Sequence, residues 1–282
     1  MKSILLTGLY QLYLAIKKHL KRPLLLEDLA IKLITFLRKI PAIGNIQITS
    51  YTSVGQMTFR LFDMSDLKIL FRPDYEKWVK YVLNIIKKGD TVIDVGAHIG
   101  FYTLEFARRV GPDGRVIAVE PDATNFMLLE HNVKLNNLTN VRLIRCALSN
   151  SDGTTSLSRK VGFSGMTRVM EEKKSEVLQD KVVCMKLDTL LGRLGIMKVD
   201  FIKIDVEGHE LHVLKGASTV LEKNPSLKLI IEIHAHYMVN PSFIYSFMEE
   251  KGFSCFAIDE MHIFCSKNSS DIIPFIKLKK TS

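Results

Sequence analysis

The chain has 282 residues, 47% of them hydrophobic and 24% charged, and a net charge of +9. That length holds one full α/β core with an N-terminal appendage but not two large domains, and the apolar content excludes a disordered chain. The excess charge lies in the ends: residues 1–40 hold eight Lys/Arg against Glu27 and Asp28, residues 267–282 hold four against Asp271, and residues 41–266 hold 27 of each sign. A nucleic-acid enzyme carries its basic surface around its cleft, so the neutral middle argues against such a partner.

Cys146, Cys184, Cys255 and Cys265 are far apart and form no C-x-x-C pair. Neither a zinc ribbon nor a disulfide framework is expected, and three of the four cysteines fall in expected strands, where they read as small buried apolar residues. Ile4 to Ile16 is apolar nearly all round and is followed by K-K-H-L-K-R at Lys17 to Arg22. It is too short to span a bilayer and no small-residue cleavage site follows, so neither a transmembrane helix nor a removed signal is expected. Pro23 opens a second apolar helix that Pro41 stops. Residues 1–44 therefore read as a helical cap packed on a cytoplasmic enzyme, with peripheral membrane contact through residues 1–40 as the second reading.

Residues 45–88 lead into the core. Alternation from Ile46 to Leu70 predicts a β-hairpin turning near Ser53-Val54-Gly55, and Tyr75 to Lys88, with the lone Trp78, predicts an amphipathic helix. The core proper, residues 89–268, opens on T-V-I-D-V-G-A-H-I-G, Thr91 to Gly100. A β-branched run, a turn with Gly96 and Gly100, and the amphipathic segment Ile99 to Val110 make a strand, tight turn and helix. A second strand, Arg115 to Val119, ends in Glu120-Pro121, where nucleotide-binding βαβ units place a carboxylate on a ribose hydroxyl pair about 20 residues past the glycines. The spacing D-x-G-x-x-x-G lacks the G-x-G-x-x-G cradle for a pyrophosphate, and Asp94 just ahead of the turn would repel one. It would attract a cofactor bearing cations, such as the sulfonium and amino groups of S-adenosylmethionine, which disfavours a dehydrogenase.

Asp122 is the expected N-cap of a helix running to Asn136, followed by a third strand, Val141 to Cys146. Residues 150–181 are polar, too long for an ordinary βα connection, and predict a small β insertion or a substrate-covering lid. A fourth strand, Phe201 to Asp205, ends I-K-I-D-V-E-G-H-E. Extended geometry carried through Glu207 would put Lys203, Asp205 and Glu207 on one face at the carboxyl end of the sheet, with one carboxylate capping the next helix and the other in the site. The fifth strand, Leu227 to Ile233, ends E-I-H-A-H, so Glu232, His234 and His236 alternate onto one face. This pattern can bind a divalent metal with Asp205, but E-x-H-x-H is weakly specific, and a base with its orienting partner is the preferred reading, with no metal expected. Residues 269–282 form a basic tail.

The runs D-V-G-A-H-I-G-F-Y-T-L, V-I-A-V-E-P-D, L-L-E-H-N-V-K-L-N, D-F-I-K-I-D-V-E-G-H-E and I-I-E-I-H, in that order from Tyr75 to Cys265, resemble the FkbM family of S-adenosylmethionine-dependent methyltransferases. His98 stands where the family usually has Asn, and both side chains can donate a hydrogen bond. The resemblance implies a class I, Rossmann-like α/β fold, mostly parallel with an antiparallel final strand, besides the N-terminal helices and hairpin. It implies S-adenosylmethionine held by Asp94, Gly96, His98, Gly100, Glu120 and Pro121, with Cys146 and Ala147 beside the adenine. It also implies O-methylation of a sugar or other hydroxylated metabolite, for which Asp205, Glu207 or His234 would be the base. A methyltransferase acting on nucleic acid or protein, and a non-catalytic scaffold of the same fold, are the alternatives.

Overall fold

The computed structural model describes residues 46–61, 63–71, 79–160, 163–170, 179–234 and 240–273. The expected N-terminal cap, most of the basic tail and His236 lie outside the described residues. In chain order the elements are β1 (Gln47–Thr52), β2 (Gly55–Arg60), α1 (Met64–Phe71), α2 (Val79–Ile85), β3 (Thr91–Val95), α3 (Phe101–Val110), β4 (Arg115–Val119), α4 (Ala123–Leu135) and β5 (Val141–Ile144). There follow β6 (Ala147–Leu148), β7 (Gly153–Lys160), β8 (Phe163–Met170), β9 (Gln179–Met185), α5 (Leu187–Leu194) and β10 (Phe201–Ile204). Next come α6 (Glu210–Lys215), α7 (Ser218–Lys223), β11 (Lys228–Glu232), α8 (Pro241–Glu250), β12 (Ser254–Ala257) and β13 (His262–Ser266).

Seven strands form the central sheet in the order β12-β13-β11-β10-β3-β4-β5. β5, β4, β3, β10 and β11 pair in parallel, while β13 runs antiparallel to both β11 and β12. This is the class I methyltransferase sheet, with the expected reversed last strand. Because successive strand residues face opposite sides, Val92 and Val116 pack with the hairpin and α1 to α4, whereas Ile93 and Ile117 pack with α5 to α8. Chain direction across the sheet reverses between β3 and β10, which opens a crevice at their carboxyl ends.

The β1–β2 hairpin turns where the sequence predicts, but it stops at Arg60, and Met64 to Phe71 is helix instead of continuing strand. Asp63 explains the switch: its Oδ1 accepts the Ser65 and Asp66 backbone N–H groups at 3.0 and 3.3 Å, an N-terminal cap that overrides the alternation. The outer edge of β2 meets α4 through two asparagines one turn apart. Asn132 Oδ1 accepts the Thr58 N–H at 2.7 Å and its Nδ2 donates to the Thr58 and Ile99 carbonyls. Asn136 treats Gln56 the same way, accepting its N–H and donating to its carbonyl. The amides stand in for a missing neighbouring strand, which is why two polar side chains lie on the inner face of a helix.

The third core strand ends at Ile144 and not at Cys146, because Ala147–Leu148 leaves the main sheet to pair with β9. The resulting four-stranded sheet, β6-β9-β7-β8, is the expected β insertion. The cysteines need a correction. Cys255 and Cys265 are directly opposite in the β12–β13 register, 4.1 Å apart at Cα, and form a disulfide. Spacing rules overlook it because the hairpin register, not a C-x-x-C turn, brings the pair together. No helix of the described residues is long and apolar enough to cross a membrane.

The asparagine contacts carry a quantitative consequence. Asn132→Ala strips partners from the buried Thr58 N–H and Ile99 carbonyl, and should cost about 2–4 kcal/mol in urea denaturation. The partly exposed Asn136→Ala should cost less, since water can replace the lost amide.

Candidate active site

A cavity of about 650 Å³ lies over the carboxyl ends of the strands. Its floor includes Gly96 and Ala97 after β3, Glu120 and Pro121 after β4, and Cys146 and Ala147 beyond β5. Asp205 and Glu207 after β10 and Glu232 at the end of β11 line it farther along the sheet. Ser65 and Lys68 of α1 and Ser164 to Thr167 of β8 also line it, so the insertion contributes to the wall. Glu120 stands two strands from β10 and three from β11, roughly 10–14 Å at about 4.8 Å per strand.

Gly96 is required by a close approach: its φ is +76°, and a Cβ there would sit 1.8 Å from the Asp205 carbonyl oxygen. His98 also has positive φ, +51°, and that turn aims its N–H at Glu120 Oε2, 2.9 Å away. Glu120 further accepts the Asp122 N–H at 3.0 Å. Burial pushes the Glu120 carboxyl up to about 7, with those two backbone bonds opposing.

The expected role of Asp94 needs revision. It is wholly buried and does not line the cavity; it accepts the Thr103 hydroxyl at 2.6 Å and lies 3.5 Å from Lys203 Nζ. Its charge is thus met from within the protein, and Lys203, which does line the cavity, also donates to the Gly96 carbonyl at 3.0 Å and lies 3.3 Å from Asp205. Gly100 likewise stays below the floor, holding φ +96° where a Cβ would come 2.7 Å from Leu129 Cδ1. Cys146 and Ala147 line the cavity, and burial pushes the Cys146 thiol up to about 12, leaving it an inert wall.

Extended geometry does not persist through Glu207, whose φ is +53°. Neither Asp205 nor Glu207 caps α6, which starts after His209 without a side-chain bond. The left-handed turn nevertheless brings Asp205, Glu207 and His234 together, with one ligand-capable atom from each within 4.8 Å of the others. His234 Nε2 is 3.4 Å from Glu232, 3.5 Å from Glu207 and 3.9 Å from Asp205, and Nδ1 donates to the wholly buried Glu210 at 2.8 Å. Against the opposing effect of burial, these carboxylates raise His234 to about 11. Burial raises Glu207 to about 8 and, with the Glu232 charge, also raises Asp205. His262, read from the sequence as an ordinary histidine, lies 3.4 Å from Glu232 and helps hold that carboxyl low.

Sequence reasoning missed a second polar cluster. Arg60 pairs bidentately with Asp66 at 2.8 and 2.9 Å and donates to Ser164 Oγ at 2.7 Å. Ser164 Oγ donates to Asp63 at 2.8 Å and stands 2.7 Å from His98 Nε2, so with its own proton committed to Asp63 it accepts from a His98 protonated at Nε2. Burial lowers the His98 pKa, in keeping with a neutral ring. The cluster ties the cofactor turn to α1 and to the insertion. The D-M-S-D run, Asp63 to Asp66, signals a helix start, but nothing in the sequence links it to Ser164, 101 residues on.

The Methyltransferase FkbM domain model matches residues 94–255, more than half of the chain. Methyltransferase sdnD of Sordaria araneosa is 28% identical over 193 residues, 57% of this chain and 73% of that protein. The hexuronic acid methyltransferase AglP of Haloferax volcanii is 29% identical over 158 residues, 56% of this chain and 61% of its own length. The 31-O-demethyl-FK506 methyltransferase FkbM of Streptomyces tacrolimicus is 27% identical over 161 residues, 46% and 60% of the two chains, so this chain spans about three fifths of the latter two relatives. With the strand order, the glycine turn and the carboxylate after β4 all in place, the chain belongs to the FkbM family of S-adenosylmethionine-dependent methyltransferases.

Proposed function

We propose that the protein methylates a hydroxyl oxygen of a sugar or other hydroxylated small molecule. The observation that carries this reading is the gathering of Asp205, Glu207 and Glu232 on the cavity wall, strands away from Glu120, with the buried His234 beside them. S-adenosylmethionine supplies a methyl already activated on a sulfonium, so the protein has mainly to align acceptor oxygen, methyl carbon and sulfur and to remove one proton. The cavity suits such a donor: its volume falls in the range of small-molecule sites, and it offers a buried carboxylate at one end and a group of carboxylates at the other.

Glu120 accepts the ribose hydroxyls while the His98 and Asp122 N–H groups hold its carboxylate in place. Pro121, Cys146 and Ala147 wall the adenine, and Gly96 lets the chain pass close beneath. Asp94 acts through Lys203, whose ammonium meets the carboxylate of the methionine end. Asp205, Glu207 and Glu232 face the donor's positive charge and receive the acceptor, whose proton passes to one of these carboxylates as the oxygen attacks. The hexuronic acid methyltransferase and the 31-O-demethyl-FK506 methyltransferase among the relatives support an oxygen acceptor.

Two ribose hydroxyls donate more strongly to an ionised Glu120 than to a protonated one, which can accept at only one oxygen, so the bound state has the lower pKa and affinity rises with pH. Calorimetry should show S-adenosylmethionine affinity flat above about pH 8 and falling up to tenfold per pH unit below 7, and Glu120→Gln should abolish that slope. In a methyl-transfer assay against a panel of hydroxylated sugars and lipids, Asp205→Asn and Glu207→Gln should lower kcat about 10²–10⁴-fold with donor affinity kept within a few-fold. Inert hydroxyls alongside a methylated amine would overturn the oxygen assignment.

A further inference from the structure

Asp205, Glu207 and His234 are arranged as ion ligands are. His234 Nδ1 donates to Glu210 at 2.8 Å, and Glu210 Oε1 is fixed in turn by the Gly208 N–H at 2.9 Å. That fixes the tautomer and turns Nε2 toward the cavity carboxylates, as in the carboxylate–histidine–metal triads whose outer carboxylate orients the ring. Glu210 is wholly buried, and its second oxygen, Oε2, has no hydrogen-bond partner among the described residues, so a negative charge is held behind the ring at appreciable cost.

The distances agree. Nε2 lies 3.5 Å from Glu207 and 3.9 Å from Asp205, and one ligand-capable atom of each of the three residues lies within 4.8 Å of the others. Around one ion with bonds of about 2.1 Å, neighbouring ligand atoms stand roughly 3.0–3.5 Å apart and opposite ones about 4.2 Å. Charge points the same way: Asp94, Asp205, Glu207, Glu210 and Glu232 bring five carboxylates, with Lys203, His234 and His262 the cationic groups the described residues place in ion-pair contact with them.

We infer that Asp205, Glu207 and His234 bind a divalent cation, of the Mn²⁺ or Mg²⁺ type that oxygen-rich sites with one imidazole favour, and that Glu210 is the positioning residue behind His234. This deepens the proposed O-methylation and rests on it for its chemical use. A cation held there by Asp205, Glu207 and the Nε2 of His234 would supply Lewis acidity, making an acceptor hydroxyl easier to deprotonate. The acceptor O–H bond would break, its proton passing to a cavity carboxylate; the O–CH₃ bond would form; and the electrons of the broken S–CH₃ bond would remain on sulfur.

The test is a Mn²⁺ titration of the EDTA-stripped full chain, followed by the paramagnetic signal of free Mn²⁺, with no acceptor needed. One Mn²⁺ per chain is expected, with affinity lowered at least tenfold in Glu207→Gln and His234→Gln and 10–100-fold in Glu210→Gln, while circular dichroism and a cooperative thermal transition show the variants folded. No binding, or binding that these substitutions leave unchanged, overturns the site. Hydroxyl methylation at full rate in EDTA also overturns it and leaves the O-methyltransferase reading standing. Side-chain-dependent Mn²⁺ binding in a protein that methylates only amines supports the site and removes the hydroxyl acceptor.

Discussion

A buried ammonium holds the sheet together where its two halves part. Lys203, on β10, reaches across to β3, donating to the Gly96 carbonyl and lying between Asp94 and Asp205. Removing such a charge would leave the wholly buried Asp94 without its counter-ion, a loss on the order of 3–5 kcal/mol. The same contact explains Gly96, whose missing side chain lets the Asp205 carbonyl approach. The carboxyl ends of β3 and β10 are thereby fixed against each other, and the cofactor turn on one is set relative to the acidic residues on the other.

Around that seam the protein builds a cover from distant pieces. The hairpin is docked on α4 by amide side chains that imitate a strand, and the β7–β8 arm is pinned by Ser164 to Asp63, Arg60 and His98. His98 therefore does two jobs: its backbone N–H holds the Glu120 carboxylate, and its ring fastens the wall over the cavity. An Asn at this position could also donate, but the shorter side chain would have to find Ser164 from farther back. The substitution is matched by the Arg60 network, which places the serine oxygen where an imidazole reaches it.

Electrostatics divides the cavity. Asp94, first in line by sequence to welcome a cation, is compensated from beneath by Lys203 and kept from the surface. The negative charge that faces the cavity lies instead at Asp205, Glu207 and Glu232. In the proposed reading, a positively charged donor between Glu120 and this group would be drawn by the acceptor end and held by the nucleoside end, placing binding energy beside the bond that breaks.

Much of this could be read from the chain alone, because it depends on local chemistry. Alternation, β-branched runs and the Gly96 to Gly100 turn mark the βαβ unit; Asp122 marks a helix start; Glu120 marks the end of the strand that follows the glycine turn and its helix. Motif order then fixes the family and with it the strand order. What the chain alone could not show depends on which surfaces meet. The register of β12 with β13 pairs Cys255 with Cys265, the turn at Glu207 swings its carboxylate to His234, and Lys203 rather than the donor answers Asp94. Local propensity reports what one stretch of backbone prefers. Charge neutralisation, side-chain convergence and the closing of a cavity wall are set by contacts between residues 24 to 109 positions apart, and only the folded packing selects them.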